Sequence, residues 1–434
     1  MIEIASLLKK EGIPGDLFTH RVFSQEINYE ANSFQGYEKE EREGYGLRVI
    51  NPEGKLGFYA FNHALDPREA LNKALEVSNL GDKVDFSIPS YPSTWEWEDF
   101  VDPRLENLEV QDMLELGDYI LSRIRGEYPQ ALINIVISAG REEKSLLNHH
   151  EEELRFARTF FGIGVSANQT KEGDILEVYA ERSWGNRDID IEGLVQEIIA
   201  KLDFSQRVAD LNSGKYPVVF TPSGSLVLFI ALLYGLNGRN LVFGRSPLEG
   251  KEGKVLFSSL FSLEEAQEPW ALGSCPFDDE GIMTKSQRYL INEGKIESAL
   301  WDLWSAAKRG INPTGNGFRS SYRDLPEPGF SSLRVKKGLR GKSTLVGELE
   351  EGLVVDSVLG LGQSNIASGY FSCNVQLGFY VKGGEVQGRV KDVMISGNAY
   401  QALSNIKEIS RDNCWIGGRI LLPYLLVEPI EVNI

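Results

Sequence analysis

The segment YPVVFTPSGSLVLFIALLYGLNG (Tyr216–Gly238) decides how the chain is read, because it carries no charged side chain from end to end. A bilayer-crossing helix needs about 20 unbroken apolar residues. Thr221-Pro222-Ser223-Gly224 interrupts the run with a turn signal, leaving a short strand before it and a short helix, Ser223–Leu236, after it. Leu226, Val227, Leu228, Phe229, Ile230, Leu232 and Leu233 make that helix apolar nearly all round, the pattern of a helix buried on every side. The reading is a strand feeding a core helix, with no membrane partner.

Upstream, strands alternate with amphipathic helices. Leu17–Ser33 alternates polar and apolar residues, most clearly at Ile27, Tyr29 and Ala31, as a half-buried strand does. Gly46–Ile50 and Lys55–Phe61 flank Asn51-Pro52-Glu53-Gly54, a hairpin turn with a glycine available for positive φ. Asp66 and Pro67 open a helix as N-cap and first-turn proline. Met113, Leu116, Ile120 and Ile124 recur at helical spacing within Leu108–Glu127. Ala131–Ala139 and Leu154–Ala167 read as strands, Ile191–Leu202 as a helix, and Asp203–Lys215 as a connection between domains. Downstream, Gly352–Leu361, Gly369–Val381 and Glu385–Ser396 are strands punctuated by glycine, which favours antiparallel sheets. At 434 residues the chain exceeds one ordinary core. The expected fold class is α+β, with a mixed α/β N-terminal domain over residues 1–205 and a β-rich C-terminal domain, mostly antiparallel, over 206–434.

A formal net charge of −18 opposes nucleic acid and anionic membrane surfaces, both of which demand clustered cations. The basic strip Arg334–Lys342 reads as a solvated turn. Cys275, Cys373 and Cys414 are odd in number and widely spaced, which fits a reducing cytoplasm better than a disulfide framework. The opening MIEIASLLKKEGIPGD has charges inside its apolar run and reads as a short amphipathic helix, not a signal peptide.

Chemistry-bearing motifs are incomplete. A catalytic zinc needs three protein ligands and an open position. The four histidines are His20, His63, His149 and His150. The adjacent pair is expected to diverge in direction, and His150-Glu151 begins an HExxH motif that Leu154 and Arg155 fail to close; a polar hairpin between Leu146 and Leu154 is the simpler reading. Gly362-Gln363-Ser364 lacks the second glycine of a nucleophile elbow, and Lys336 stands where a P-loop ending in Gly341-Lys342-Ser343 needs glycine. Cys275 has no histidine near it in sequence. Asp278-Asp279-Glu280 before Gly281 is the densest acidic cluster, expected as an exposed turn.

Several blocks together resemble the TldD/PmbA peptidase family, also called "modulator of DNA gyrase" proteins. YGLRVINPEGKLGFYAFN is similar to its N-terminal block, and GSCPFDDEGIMTKSQRYLINEGKI to the PFDxEG block of the PmbA/TldE branch. Asn312–Asn316, Gly360–Asn365, Ser368–Ser372 and Ile395–Asn398 follow in family order. The family commonly has Asp where Tyr370 stands. In the TldD branch, the resemblance implies, zinc is held by two His of an HExxxH helix and a downstream Cys. The matching helix here is SGSLVLFIALLYGL, which lacks every one of those donors, and Ile416 occupies the nearest equivalent of the Cys, two residues from Cys414.

The resemblance therefore implies a non-catalytic subunit of a TldD-type zinc metallopeptidase complex acting on unfolded peptides. No cofactor is expected in this chain, zinc only in a TldD-type partner, and self-pairing into a homodimer in isolation. Gly360, Gly362, Ser364, Asn365, Gly369, Tyr370, Phe371 and Ser372 are the candidate peptide contacts, because glycine-rich strand edges accept an added strand. Two other readings stand beside it: a stand-alone homodimeric peptide-binding or regulatory protein without hydrolase activity, and an enzyme with a different nucleophile, Cys275 first.

Overall fold

The computed structural model describes residues 2–63, 65–92, 99–171, 174–360 and 364–434. The opening helix α1 (Ile2–Glu11) buries Ile4, Ala5 and Leu8, as its amphipathic pattern requires. Six strands follow: β1 (Gly15–Glu30), β2 (Ser33–Ile50), β3 (Leu56–Phe61), β4 (Leu132–Asn148), β5 (Glu153–Lys171) and β6 (Asp174–Trp184). They form one sheet in the order β3-β2-β1-β4-β5-β6, antiparallel throughout. The hairpin turn forms as expected: Asn51 Oδ1 accepts from the backbone N–H of Glu53 and of Lys55, both at 2.9 Å, and Gly54 takes φ +79°. Helix α2 (Pro67–Ser78) starts at the Asp66 cap. Helix α3 (Val110–Glu127) turns Met113, Gly117, Ile120 and Ile124 inward. With α4 (Ile191–Phe204) it covers a core that includes Ile27, Ile133, Ile135, Ile163, Val165 and Val178.

The second half is built on β7 (Gly214–Phe220), β8 (Glu351–Leu359), β9 (Tyr370–Lys382), β10 (Met394–Asn398) and β11 (Ile420–Asn433). Each pairs with the next and β11 returns to β7, so the five close into a ring; β7 and β8 are parallel and the other pairs antiparallel. The stretch expected as one strand, Glu385–Ser396, is two strands, Glu385–Arg389 and β10, which meet different parts of β9. Asp392, at φ +54°, breaks the extended backbone between them. Val218 and Phe220 enter one core while Val219 enters another, and Leu353 and Val355 alternate with Val354 in the same way. Strands covered on both faces read as continuous apolar runs, which is why the start of Tyr216–Gly238 looked so hydrophobic. The core holding Val219, Val354, Leu377 and Phe379 also holds the residues under α3 and α4, so it draws on both sides of residue 205.

The apolar helix α5 (Leu226–Leu236) starts later than Ser223, because the turn is held locally: Gly224 N donates to Thr221 Oγ1 at 3.1 Å and Ser225 Oγ to Pro222 O at 2.8 Å. It is not buried on every side. Val227, Leu228, Phe229, Ala231, Leu232, Gly235 and Leu236 face the core, whereas Ile230 is 37% exposed and Leu226, Leu233 and Tyr234 are half-buried. An apolar face at a helix surface is invisible to a pattern that is apolar all round. Among the described residues, no helix is long and apolar enough to cross a membrane.

The acidic run Asp278-Asp279-Glu280 is a turn, with Gly281 at φ +81°, but it is not exposed: its residues are 0%, 2% and 2% accessible. Charges this deep need partners, and theirs are remote in sequence. Arg48, 1% exposed, spans Asp16 (Nη2–Oδ2 2.6 Å, Nε–Oδ1 3.1 Å) and Glu280 (Nη1–Oε1 2.8 Å). Glu280 Oε2 accepts from Leu303 N at 2.6 Å, at the start of α6 (Leu303–Arg309). Asp278 Oδ2 accepts from Gly317 N at 2.7 Å, and Asp279 takes Lys144 Nζ at 3.2 Å and Arg319 N at 2.8 Å. The expected solvated turn at Arg334–Lys342 also begins inside the fold: Leu333–Val335 is a strand between Leu263–Ala266 and β11, with Leu333 and Val335 buried and Arg334 bonded to Glu264. Three residues are too few for their alternation to show in the sequence.

Arg48→Met removes the cation and leaves two carboxylates buried, so a loss of about 3–5 kcal/mol in denaturant unfolding is expected. Burial already pushes the Glu280 carboxyl above its usual range despite Arg48. A raised folded pKa means the folded state binds more protons there, so stability is gained as pH falls. The deficit of Arg48→Met relative to the natural chain should therefore shrink between pH 7 and pH 5; a deficit that grows would contradict the assignment.

Candidate functional site

Five of the eight sequence-predicted contact residues line one shallow cleft of about 480 Å³ at the ring surface: Ser364, Asn365, Tyr370, Phe371 and Ser372, together with Ser396, Gly397 and Glu431. Register explains the grouping. Ser372 on β9 lies opposite Ser396 on β10, which lies opposite Glu431 on β11, so one polar row crosses three adjacent strands. Phe371, one residue earlier than Ser372, points inward and joins the core. Tyr370 is 63% exposed at the rim. Ser364 Oγ accepts from Ser372 N at 3.4 Å, and Asn365 bridges Tyr370. The last β8 residue paired with β9 is Leu359, opposite Asn374, so among the described residues Tyr370–Cys373 face only the Ser364–Asn365 segment on that side.

Gly369 shapes this end. It takes φ +80°, and a Cβ there would stand 2.5 Å from the Tyr400 ring. Asn398 ties the two turns together: its Nδ2 donates to Ser368 O at 2.9 Å, and its Oδ1 accepts from Tyr400 N at 3.0 Å, capping α7 (Ala399–Ser404). Gly360, at φ +86°, ends β8 outside the cleft lining, and Gly362 lies outside the described residues. Ser396 and Gly397 fell within the Ile395–Asn398 turn but were not singled out; Glu431 carried no motif and is placed only by strand pairing.

Cys275 and His20 line a second cavity, at the junction of the N-terminal sheet with the acidic turn. The sequence separated them, and the fold brings them to the same walls without joining them: His20 Nε2 is bonded to Glu142 Oε1 at 2.7 Å, and no hydrogen bond links it to the thiol. Burial pushes the Cys275 thiol up to about 12, so at neutral pH it is protonated and a poor nucleophile. His149 and His150 stand in the β4–β5 turn with ring centroids 3.9 Å apart, rather than diverging, because a turn follows neither strand nor helix geometry. Burial, then the neighbouring His150, lowers the His149 pKa.

The donor set does not fit a catalytic zinc. Helix α5 presents no nitrogen, sulfur or carboxylate ligand. Cys414 sits on the strand Ile406–Ile416, its thiol raised by burial, and its sulfur contacts the Trp415 carbonyl. Among the described residues, no three His, Cys, Asp or Glu side chains gather as metal ligands.

Two family models match the chain: the PmbA/TldA metallopeptidase C-terminal domain over residues 213–433 and the PmbA/TldA metallopeptidase domain 1 over residues 15–78. An uncharacterised protein of Methanocaldococcus jannaschii is 23% identical over the full length of both chains. A metalloprotease of Synechocystis is 26% identical over 86% of this chain and 81% of its own. The crystal structure of TldE from Thermococcus kodakarensis superposes with a TM-score of 0.91 at 21% identity, covering 100% of this chain and 99% of that one, a likeness of fold.

Iodoacetamide at pH 8 should leave Cys275 unmodified in the native chain and label it after unfolding in urea, as read by peptide mass. Rapid native labelling would mean that the thiol ionises and would revive it as a nucleophile.

Proposed function

The chain belongs to the PmbA/TldD metallopeptidase family, and from that premise we propose that it is a non-catalytic subunit, working with a TldD-type zinc peptidase on unfolded peptides. One observation carries the reading. At the helix where the TldD branch carries its His ligands, this chain has Leu226–Leu236, whose inner face is packed into the core by Val227, Leu228, Phe229, Leu232 and Leu236. Ligands would replace side chains whose burial is worth roughly 1.5–3 kcal/mol each. Zinc and the hydrolytic step then belong to the partner, and this chain contributes surface.

The strand-edge cleft supports a peptide-handling part in that work. A peptide laid across the row of Ser372, Ser396 and Glu431 would meet polar side chains of three strands, with Tyr370 offering an apolar face and Glu431 a carboxylate for a cationic side chain or amino terminus. All three cysteines are free thiols, which supports a cytoplasmic setting.

Purified alone, the chain is expected to cleave no peptide; mixed with a TldD-type subunit it should co-elute and support chelator-sensitive cleavage. Chelator-sensitive cleavage by the single chain would refute the assignment. Tyr370→Ala, at an exposed position, should leave unfolding within about 0.5 kcal/mol of the natural chain. It should weaken binding of an unfolded peptide about tenfold by fluorescence anisotropy, equivalent to one partly buried aromatic ring. Unchanged binding would remove the cleft from the reading.

A further inference from the structure

The second cavity, of about 200 Å³, has an uncommon charge balance for a chain carrying −18 overall. Its walls hold Lys144, Arg158, Arg319 and Arg419, with Glu142 as the sole carboxylate among them. Arg158 and His20 occupy Glu142, at 2.5 Å and 2.7 Å, and Lys144 is taken by Asp279 at 3.2 Å behind the wall. Against burial, Arg158 and then Lys144 hold the Glu142 carboxyl well below its usual range, so these groups form a closed account of charge.

Arg319 and Arg419 stand outside it. Neither has an ion-pair partner among the described residues. Arg319 is 9% exposed; its Nη1 donates to Asp324 O at 2.8 Å, while its buried Nε and Nη2 meet no acceptor among the described residues. Its guanidinium lies 4.9 Å from the Phe18 ring centre and 5.5 Å from that of Phe58, so aromatic faces fix its plane. Burial, then the like charge of Arg48, lowers the Arg319 pKa to about 10, which leaves it a cation at neutral pH. Arg419, exposed at the mouth, donates from Nη2 to Phe330 O at 2.8 Å and stacks 5.2 Å from the Phe330 ring centre.

We propose that this cavity binds a small oxyanion, a carboxylate or phosphate group, held by the guanidinium of Arg419 and drawn in by the charge of Arg319, which has no ion-pair partner among the described residues. A guanidinium presents a planar fork of N–H donors that matches two oxygens of such a group; Arg419 offers that fork at the surface, whereas the Nε and Nη2 of Arg319 are sealed from the cavity and Arg319 acts through its charge. The volume admits a few heavy atoms, not a folded partner. Ser320 and Ser321 on the same wall can supply neutral donors. The site is separate from the strand-edge cleft and does not depend on the peptidase reading.

The test is calorimetric titration of the whole chain with inorganic phosphate and, separately, with acetate, at constant ionic strength in chloride. It is repeated on Arg419→Gln, on Arg319→Gln, and on Arg125→Gln as a control for lost charge on exposed α3. Saturable binding of either anion, unchanged in Arg125→Gln and weakened about tenfold or more in Arg419→Gln, is expected. Phosphate alone binding would name phosphate as the source, acetate alone a carboxylate. Arg419 lies at the surface, so its variant keeps the test valid if Arg319→Gln fails to fold. No saturable binding of either anion, or the same response in all the variants, overturns the proposal.

Discussion

Arg48 cannot give up its charge, and at 1% exposure it cannot reach water. Two carboxylates must therefore come to it. Asp16 is supplied by the neighbouring strand of its own sheet, whereas Glu280 comes from 232 residues further on. Once the acidic turn has docked, its other oxygens collect backbone donors from Leu303, Gly317 and Arg319. One buried guanidinium thus constrains where three segments of the second half, the acidic turn, the start of α6 and Gly317–Arg319, meet the first. Replacing such a network by apolar side chains can be neutral, while removing one member is costly, so its value here is in specifying a single docking geometry.

The same turn sets the chemistry beside it. Asp279 pairs with Lys144 from behind the cavity wall, and Cys275, three residues before Asp278, is carried into a site too dry to ionise it. The cavity is consequently rich in cations and poor in nucleophiles. The cleft on the ring depends on different forces. Its floor is a sheet whose inner side chains, Phe371, Cys373, Ile395 and Val432, are packed in the main core, and its outer row of Ser372, Ser396 and Glu431 follows from period-two alternation.

Helix α5 has two apolar faces with different surroundings. A helix that holds metal ligands must keep polar atoms over a wet space, at the expense of packing. Here the inner face packs against the ring strands, and the outer stripe of Leu226, Ile230, Leu233 and Tyr234 stays partly accessible. That arrangement packs one face of the helix and leaves an apolar stripe on the other.

The sequence alone determined the local elements and the family blocks: the Asp66 cap, the Asn51–Gly54 turn, the strand–turn–helix of Tyr216–Leu236, and the grouping of Ser364, Asn365, Tyr370 and Ser372 near one sheet edge. These depend on spacing within a few residues, where φ preference, capping and periodicity act. Only the tertiary structure decided that Asp278–Glu280 is buried, that Glu431 completes the cleft, that Glu385–Ser396 is two strands, and that His20, Cys275 and four cations share one cavity. Each of those depends on a partner tens to hundreds of residues away. An acid beside a glycine looks solvated until the arginine that desolvates with it is in place, and local pattern carries no record of that pairing.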